Sequence, residues 1–374
     1  MRIVIDGRMF NESGVGRYIR NLINNLAILD KKNEYFILHL KEDYENLEYQ
    51  DNFRKILANF RWYGIEEQIK LSGLIKSLNP ALVHFPHFNV PIRYGGKFVV
   101  TIHDLIHQHF SMERSTTHGL LVYKLKRLGY KKVFTTAINK SLAILVPSYF
   151  VKDELIKDWK VLKDKISVTH EAVDDKLFTI LNEMKMEDIK SVRDKFNIRN
   201  PYLFYIGNAH PHKNVEGLIR AFVALKEKYP DLGLVLSGND HYFWQKIRKE
   251  FQQEGVIYAG SVSDEELVGL YKGATAFVMP SLEEGFGIPI LEAFACECPV
   301  ISSNKGSLPE VGGDAVVYFD PKDPGNMREK IDIVLQSEEM RKELIKKGLK
   351  RYKLFSWKKL AQQTLEIYQQ QLCV

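Results

Sequence analysis

The chain has 374 residues, of which 45% are hydrophobic and 27% charged, and carries a formal net charge of +6. That length is too great for one ordinary doubly wound domain and calls for two cores, and the composition excludes disorder, low complexity and an internal repeat. The modest positive balance suits anionic small molecules, an anionic membrane surface or nucleic acid, and does not choose among them.

Three cysteines, Cys296, Cys298 and Cys373, cannot build a disulfide framework. Cys296-Glu297-Cys298 lacks the C-x-x-C spacing of a zinc or thioredoxin site, so these read as structural thiols. The longest apolar runs, residues 143–147 and 299–302, are strand-length and far short of a membrane span. The N-terminus enters a strand at once, without a long apolar region or cleavage site, and the expected location is the cytoplasm.

In chain order, residues 2–6 read as a strand, 15–29 as a helix, 35–40 as a strand and 66–78 as a helix. Strands at 82–85, 97–103, 143–148 and 165–170 continue an α/β alternation. A more polar stretch follows, and a linker is expected near residues 173–198. A second strand series then runs through 202–207, 232–237, 256–258, 275–279, 300–302 and 315–319. In the tail, Trp357, Leu360, Ala361, Leu365 and Ile367 recur at helical spacing and predict a terminal helix over 356–371.

The loop after the first strand contains Gly14 and Gly16, which permit close approach of backbone to ligand. It is not a dinucleotide fingerprint, because the third glycine position is Ile19, and this disfavours a nicotinamide dehydrogenase. Thr101-Ile102-His103-Asp104 ends an apolar strand and sets an imidazole and a carboxylate at a sheet's carboxyl edge. His107 and His109 nearby invite a metal reading, but the three histidines lack a recognised zinc spacing, and no metal is expected. Residues 118–140 mix Lys124, Lys126, Arg127, Lys131 and Lys132 with apolar residues, which fits peripheral contact with anionic lipid or a solvated helix face. No nucleic-acid-binding signature is present.

In the second series, Tyr205 to Asn214 again lies between a strand and a helix. A lysine at the start of a helix opposes the macrodipole, so Lys213 is best explained by an anionic partner such as a diphosphate. The richest stretch is Glu284-Gly285-Phe286-Gly287-Ile288-Pro289-Ile290-Leu291-Glu292, two carboxylates bracketing a glycine turn that enters a helix after a buried strand. Residues 302–310 follow another strand with turn chemistry suited to lining the same site.

Taken in order, Gly14 to Gly16, His103-Asp104, Gly207 to Lys213, Glu284 to Glu292 and Ser307 to Gly313 resemble the GT-B glycosyltransferases of family 4. The resemblance covers nearly the whole chain. It implies an α/β fold of two Rossmann-like domains facing a nucleotide-sugar cleft. These are residues 1–175 on the acceptor side and 176–355 on the donor side, with the helix of 356–374 crossing back to complete the first. It further implies that Glu292 bonds the ribose, and that Glu284 with the backbone of Phe286, Gly287 and Ile288 holds the donor sugar. Lys213 would meet the diphosphate, His103 the transferred sugar, and Gly14 and Gly16 the donor phosphate and acceptor. Asn208 and His212 stand where relatives carry arginine, which shifts phosphate binding onto Lys213.

The expected function is a metal-independent, retaining hexosyltransferase acting from GDP-mannose on a glycan or lipid-linked acceptor in surface polysaccharide synthesis. UDP-hexose, UDP-N-acetylhexosamine and dTDP-rhamnose are the alternative donors. A sugar-nucleotide epimerase and a catalytically silent sugar-nucleotide-binding subunit are the alternative activities.

Overall fold

The computed structural model describes residues 1–49, 51–109, 120–199, 201–239 and 242–372, without the side chains of His107 and residues 120–126. The described residues form two compact units. The first comprises Met1–Leu105, Ser111–Glu171 and Ser356–Val374, and the second Ile106–Phe110 and Ala172–Phe355.

Unit 1 is built on seven parallel strands: β1 (Arg2–Asp6), β2 (Glu34–His39), β3 (Phe53–Leu57), β4 (Leu82–Phe85), β5 (Phe98–Thr101), β6 (Ala143–Val146) and β7 (Ile166–Val168). Their order is β3-β2-β1-β4-β5-β6-β7. Ile3, Val4 and Ile5 are wholly buried, as both faces of a central parallel strand must be. β3 escapes a hydrophobic-pattern reading because it is an edge strand whose Arg54 and Lys55 blunt further pairing.

The terminal helix Trp357–Leu372 belongs to this unit and packs on the helix Ser13–Leu29. It buries Trp357, Leu360, Ala361, Thr364, Ile367 and Tyr368. Leu365, expected on that face, is only half-buried, because the 3.6-residue repeat from Trp357 selects Thr364 and Tyr368 instead. Tyr368 is fixed by a 2.6 Å hydrogen bond to Nδ1 of the buried His84 on β4.

Unit 2 repeats the plan with six parallel strands: β8 (Tyr202–Ile206), β9 (Gly233–Ser237), β10 (Val256–Gly260), β11 (Ala276–Met279), β12 (Val300–Ser303) and β13 (Val316–Phe319). Their order is β10-β9-β8-β11-β12-β13. Residues 173–198, expected as a linker, instead carry the helices Asp175–Glu183 and Met186–Lys195, which pack on the helix Asp264–Gly273. Their solvent faces are so polar that composition alone reads as linker, while Leu177, Ile180, Ile189 and Val192 are buried.

Both sheets reverse their order at one place, between β1 and β4 in unit 1 and between β8 and β11 in unit 2. Loops leaving the carboxyl ends of such neighbouring strands run to opposite faces of the sheet, and the crevice between them is where open parallel sheets bind ligands.

Candidate functional site

In unit 2 the crevice is spanned by one charge pair. Lys213 closes a short turn, Pro211–Lys213, on the loop after β8, and Glu284 lies on the loop after β11. The Lys213 Nζ donates to both carboxylate oxygens of Glu284, at 2.7 and 2.8 Å. Ser281 Oγ adds a third bond to Glu284 Oε1 at 2.6 Å. The lysine and glutamate side chains are 17% and 9% exposed, so the pair is largely withdrawn from water without being sealed. The anion that Lys213 calls for is thus supplied, in the free protein, by the chain itself.

The backbone around Glu284 is held from the next strand. Ser307 Oγ donates to the carbonyls of Glu284, at 3.0 Å, and Phe286, at 2.7 Å. Gly306 has φ near +62°, and a Cβ there would sit 2.8 Å from the Glu284 nitrogen and oxygen. Only glycine meets both demands. Gly287 then opens the helix Ile288–Ala295, with Pro289 in its first turn where the missing N–H costs nothing.

Glu292, on that helix, is 3% exposed and accepts a 3.1 Å bond from the Tyr271 hydroxyl. Burial, reinforced by the Glu292 charge, raises the Tyr271 phenol far above its ordinary pKa, so it remains a donor. His212 is buried, and its carbonyl accepts from the Leu282 N–H at 2.7 Å, tying the β8 and β11 loops together. Asn208 turns its own loop, its carbonyl accepting from Tyr205 and its Oδ1 from the His210 N–H. Cys296 and Cys298 are buried free thiols, and Cys373 lies outside the described residues.

In unit 1, His103 follows β5 with both ring nitrogens engaged. Nδ1 lies 3.0 Å from Glu171 Oε1 and Nε2 lies 2.8 Å from the Pro86 carbonyl. A carbonyl can only accept, so Nε2 donates to Pro86, while Nδ1 pairs with the Glu171 carboxylate. Burial pulls its pKa down, but the bond to Glu171 and that group's charge outweigh burial and raise it. Both ring nitrogens of His103 thus have partners within unit 1.

The two glycines after β1 differ. A Cβ on Gly16 would lie 2.4 Å from the Phe10 carbonyl, so Gly16 has an internal reason to be glycine. A Cβ on Gly14 would meet nothing within 4 Å beyond its own turn, and Gly14 sits in the first turn of the helix Ser13–Leu29, whose N-terminus has no side-chain cap. Of the sequence's three neighbouring histidines, His103 is held by Glu171 in unit 1, and His109 Nδ1 lies 2.9 Å from the Glu283 carboxylate, both in unit 2. The His107 side chain, His118 and the side chains of Lys124 and Lys126 lie outside the described residues.

Sequence reading missed Ser281, Tyr271 and Glu171, partners of Glu284, Glu292 and His103, and it placed the Ser307 segment at the site without the bonds Ser307 makes to the Glu284 and Phe286 carbonyls. Tyr271 and Glu171 act through contacts 21 and 68 residues away, while Ser281 lies three residues from Glu284 and is an ordinary residue type at the end of an apolar run.

Two family models match the chain, one described as Glycosyltransferase Family 4 over residues 13–177 and one as Glycosyl transferases group 1 over residues 188–351. The chain belongs to glycosyltransferase family 4. This glycosyltransferase is 29% identical over 380 residues to O-antigen chain mannosyltransferase B of Escherichia coli, covering 95% of this chain and 96% of that one. It is 28% identical over 264 residues to O-antigen chain mannosyltransferase RfbU of Salmonella typhimurium LT2, covering 70% and 67%. A sucrose-phosphate synthase structure from Thermosynechococcus elongatus matches it with a TM-score of 0.76 at 19% identity over 99% of this chain and 98% of that one. The fold is GT-B. Among the described residues, no helix is long and apolar enough to cross a membrane.

Proposed function

We propose that this glycosyltransferase moves mannose from GDP-mannose, with retention at the anomeric carbon, onto a glycan or lipid-linked acceptor in surface polysaccharide synthesis. The observation that carries the reading is the near full-length similarity to an O-antigen chain mannosyltransferase. The Lys213–Glu284 pair at the β8/β11 crevice supports it, being a cation and a carboxylate set side by side where a sugar diphosphate needs both.

In this reading Lys213 exchanges its hold on Glu284 for the diphosphate, and Asn208 and His212 shape the loop that carries it. Glu284, with the backbone of Phe286, Gly287 and Ile288, then takes the sugar hydroxyls, and Glu292 takes the ribose. The bond from sugar C1 to the phosphate oxygen breaks with its electron pair going to the diphosphate. The acceptor oxygen attacks C1 from the same face, and its proton passes to the departing phosphate. Lys213 stabilises the charge developing on the diphosphate, which lowers the barrier because that charge is greatest at and after the transition state.

Gly14, open beside an uncapped helix N-terminus, suits the donor phosphate; Gly16 supports that loop. His103, after β5, is the residue taken to meet the transferred sugar. Lysine supplies the neutralising charge, so transfer is expected to persist in a chelator. Arg127, Lys131 and Lys132 are exposed beside an exposed Leu128 and suit peripheral contact with anionic lipid.

The test is a melting-temperature panel with GDP, UDP, dTDP, ADP and NAD, followed by transfer assays with the matching nucleotide sugars, since a ligand of the native state raises the midpoint by mass action. Selective stabilisation by GDP and mannose transfer are expected. Stabilisation by UDP or dTDP alone rejects GDP-mannose, and free rearranged sugar as product identifies an epimerase.

A further inference from the structure

We propose that Asn214 is a positioning residue for the transferase, the side chain that keeps Lys213 aimed into the β8/β11 crevice when the lysine gives up Glu284 for a diphosphate. The inference rests on the transferase reading above and names the residue that holds its phosphate-binding lysine in place.

The backbone of Asn214 comes first. It closes the turn Pro211–Lys213 and opens the helix Val215–Lys226 with φ near +54° and ψ near +35°, the left-handed conformation. Asparagine visits that region more readily than most side chains, but here its amide does not cap the helix that follows. Nδ2 donates instead to the carbonyls of Pro280, at 3.2 Å, and Pro321, at 3.0 Å. Pro280 follows β11 and Pro321 follows β13, so one amide ties the loops of β8, β11 and β13 together.

These bonds bracket Lys213. On its N-terminal side the His212 carbonyl accepts from the Leu282 N–H at 2.7 Å, and on its C-terminal side the Asn214 amide bonds Pro280. Between Pro280 and Leu282 stands Ser281, whose hydroxyl bonds Glu284 at 2.6 Å. The β8 and β11 loops are thus joined from residue 212 to 282, from 214 to 280, and from the Lys213 ammonium to Glu284. Only the last of these opens when Lys213 turns to an external anion, because the other two join neutral donors to carbonyls, for which a diphosphate does not compete. Held in this way, the ammonium meets its ligand without a loop having to order first, a cost that otherwise subtracts from binding.

Gly217 is an independent sign that the amide has a fixed place. It is the third residue of the helix Val215–Lys226, where alanine is the better helix former. A Cβ at Gly217 would lie 2.9 Å from Asn214 Nδ2 and closer still to its Oδ1. The helix forgoes a side chain at the position that the asparagine amide occupies.

The test is a set of double-variant cycles on the full chain, with Asn214→Gly and Gly217→Ala each made with and without Lys213→Ala. They are read by denaturant titration and by calorimetry with GDP and UDP. Asn214→Gly keeps the left-handed turn and removes the amide, whereas Gly217→Ala displaces the amide from outside. With Lys213 present, both variants are expected to weaken the nucleotide about tenfold. With Lys213→Ala, the same changes should alter affinity by less than about twofold, because an amide that acts through the lysine has nothing left to position. In the free protein, Lys213→Ala should likewise cost less stability in the Asn214→Gly background. An asparagine that only stabilises the fold gives additive losses, so affinity and stability changes that are the same with and without Lys213 overturn the positioning role. A Lys213→Ala variant with wild-type affinity for GDP and UDP overturns the diphosphate reading alone, since the stability cycle still reads whether Asn214 aims the lysine at Glu284.

Discussion

Lys213 holds both carboxylate oxygens of Glu284 across 71 residues of sequence, from the loop of one strand to the loop of its neighbour at the point where the sheet reverses order. The two residues form one charge pair, and under the proposed function Lys213 exchanges that internal partner for the donor diphosphate. Removing either member has two separable consequences, one on the free protein and one on turnover.

Lys213→Ala leaves the Glu284 carboxylate largely buried without its cation, retaining only the Ser281 bond. The expected result is a lower melting temperature, by about 1–3 kcal/mol of stability, and a loss of turnover worth about 2–4 kcal/mol, or roughly two to three orders of magnitude. Adding Glu284→Gln should recover much of the stability and none of the turnover. Denaturant titration and kcat measured on the wild type and these two variants check this; a double variant no more stable than Lys213→Ala contradicts the pairing.

Glu292 is held on one side by Tyr271, so its removal and the removal of its partner should part company. Glu292→Ala is expected to weaken nucleoside diphosphate binding by about tenfold or more, the loss of one charge-assisted hydrogen bond. Tyr271→Phe should lower stability while changing nucleotide affinity by less than about threefold. Calorimetry with the nucleotide, beside thermal melts, separates the two, and equal affinity losses in both variants would mean that the tyrosine also touches the ligand.

Much of this architecture was legible in the sequence. The alternation of short apolar runs with helical segments gave an α/β fold, and the glycine turn between Glu284 and Glu292 pointed to the crevice loop where Glu284 pairs with Lys213, because those signals are local. What was not legible depends on contacts between distant segments. β3 carries edge-strand charges instead of an apolar run, and the helices of residues 173–198 bury only a narrow stripe. Glu171 gives no sign in its own surroundings that it bonds a histidine 68 residues earlier. The two glycines after β1 look alike in sequence, and only the Phe10 carbonyl beside Gly16 distinguishes them.

That distinction predicts a contrast. Gly16→Ala forces a methyl group against backbone that cannot move like a side chain, so the melting temperature should fall clearly. Gly14→Ala meets no atom within 4 Å and should leave the free protein's melting temperature within about 1 °C, its effect appearing instead in donor KM. Melting curves and donor saturation curves on the two variants decide the matter. A destabilised Gly14→Ala with normal donor KM would remove Gly14 from the donor-binding residues.

The histidines of unit 1 make its stability fall on both sides of neutrality. His84 bonds the Tyr368 and Thr101 hydroxyls and stays neutral, its pKa lowered to about 3 by burial and then by the His103 charge. His39 is lowered to about 4 by burial. A lowered histidine contributes stability that is present above the unfolded value of 6.5 and is lost as pH falls toward these folded values. His103 has the opposite sign. Its raised pKa contributes stability that is complete below 6.5 and disappears as pH rises through the folded value, with Glu171, Asp104, Tyr18 and His84 as the groups facing it. Melting temperature between pH 4 and 9 should therefore pass through a maximum. Glu171→Gln removes the charge that raises His103, so the alkaline limb should move to lower pH while the acid limb stays in place. NMR titration of the His103 ring should show the same downward shift, and an unchanged His103 titration in Glu171→Gln would show that the carboxylate does not hold the imidazolium.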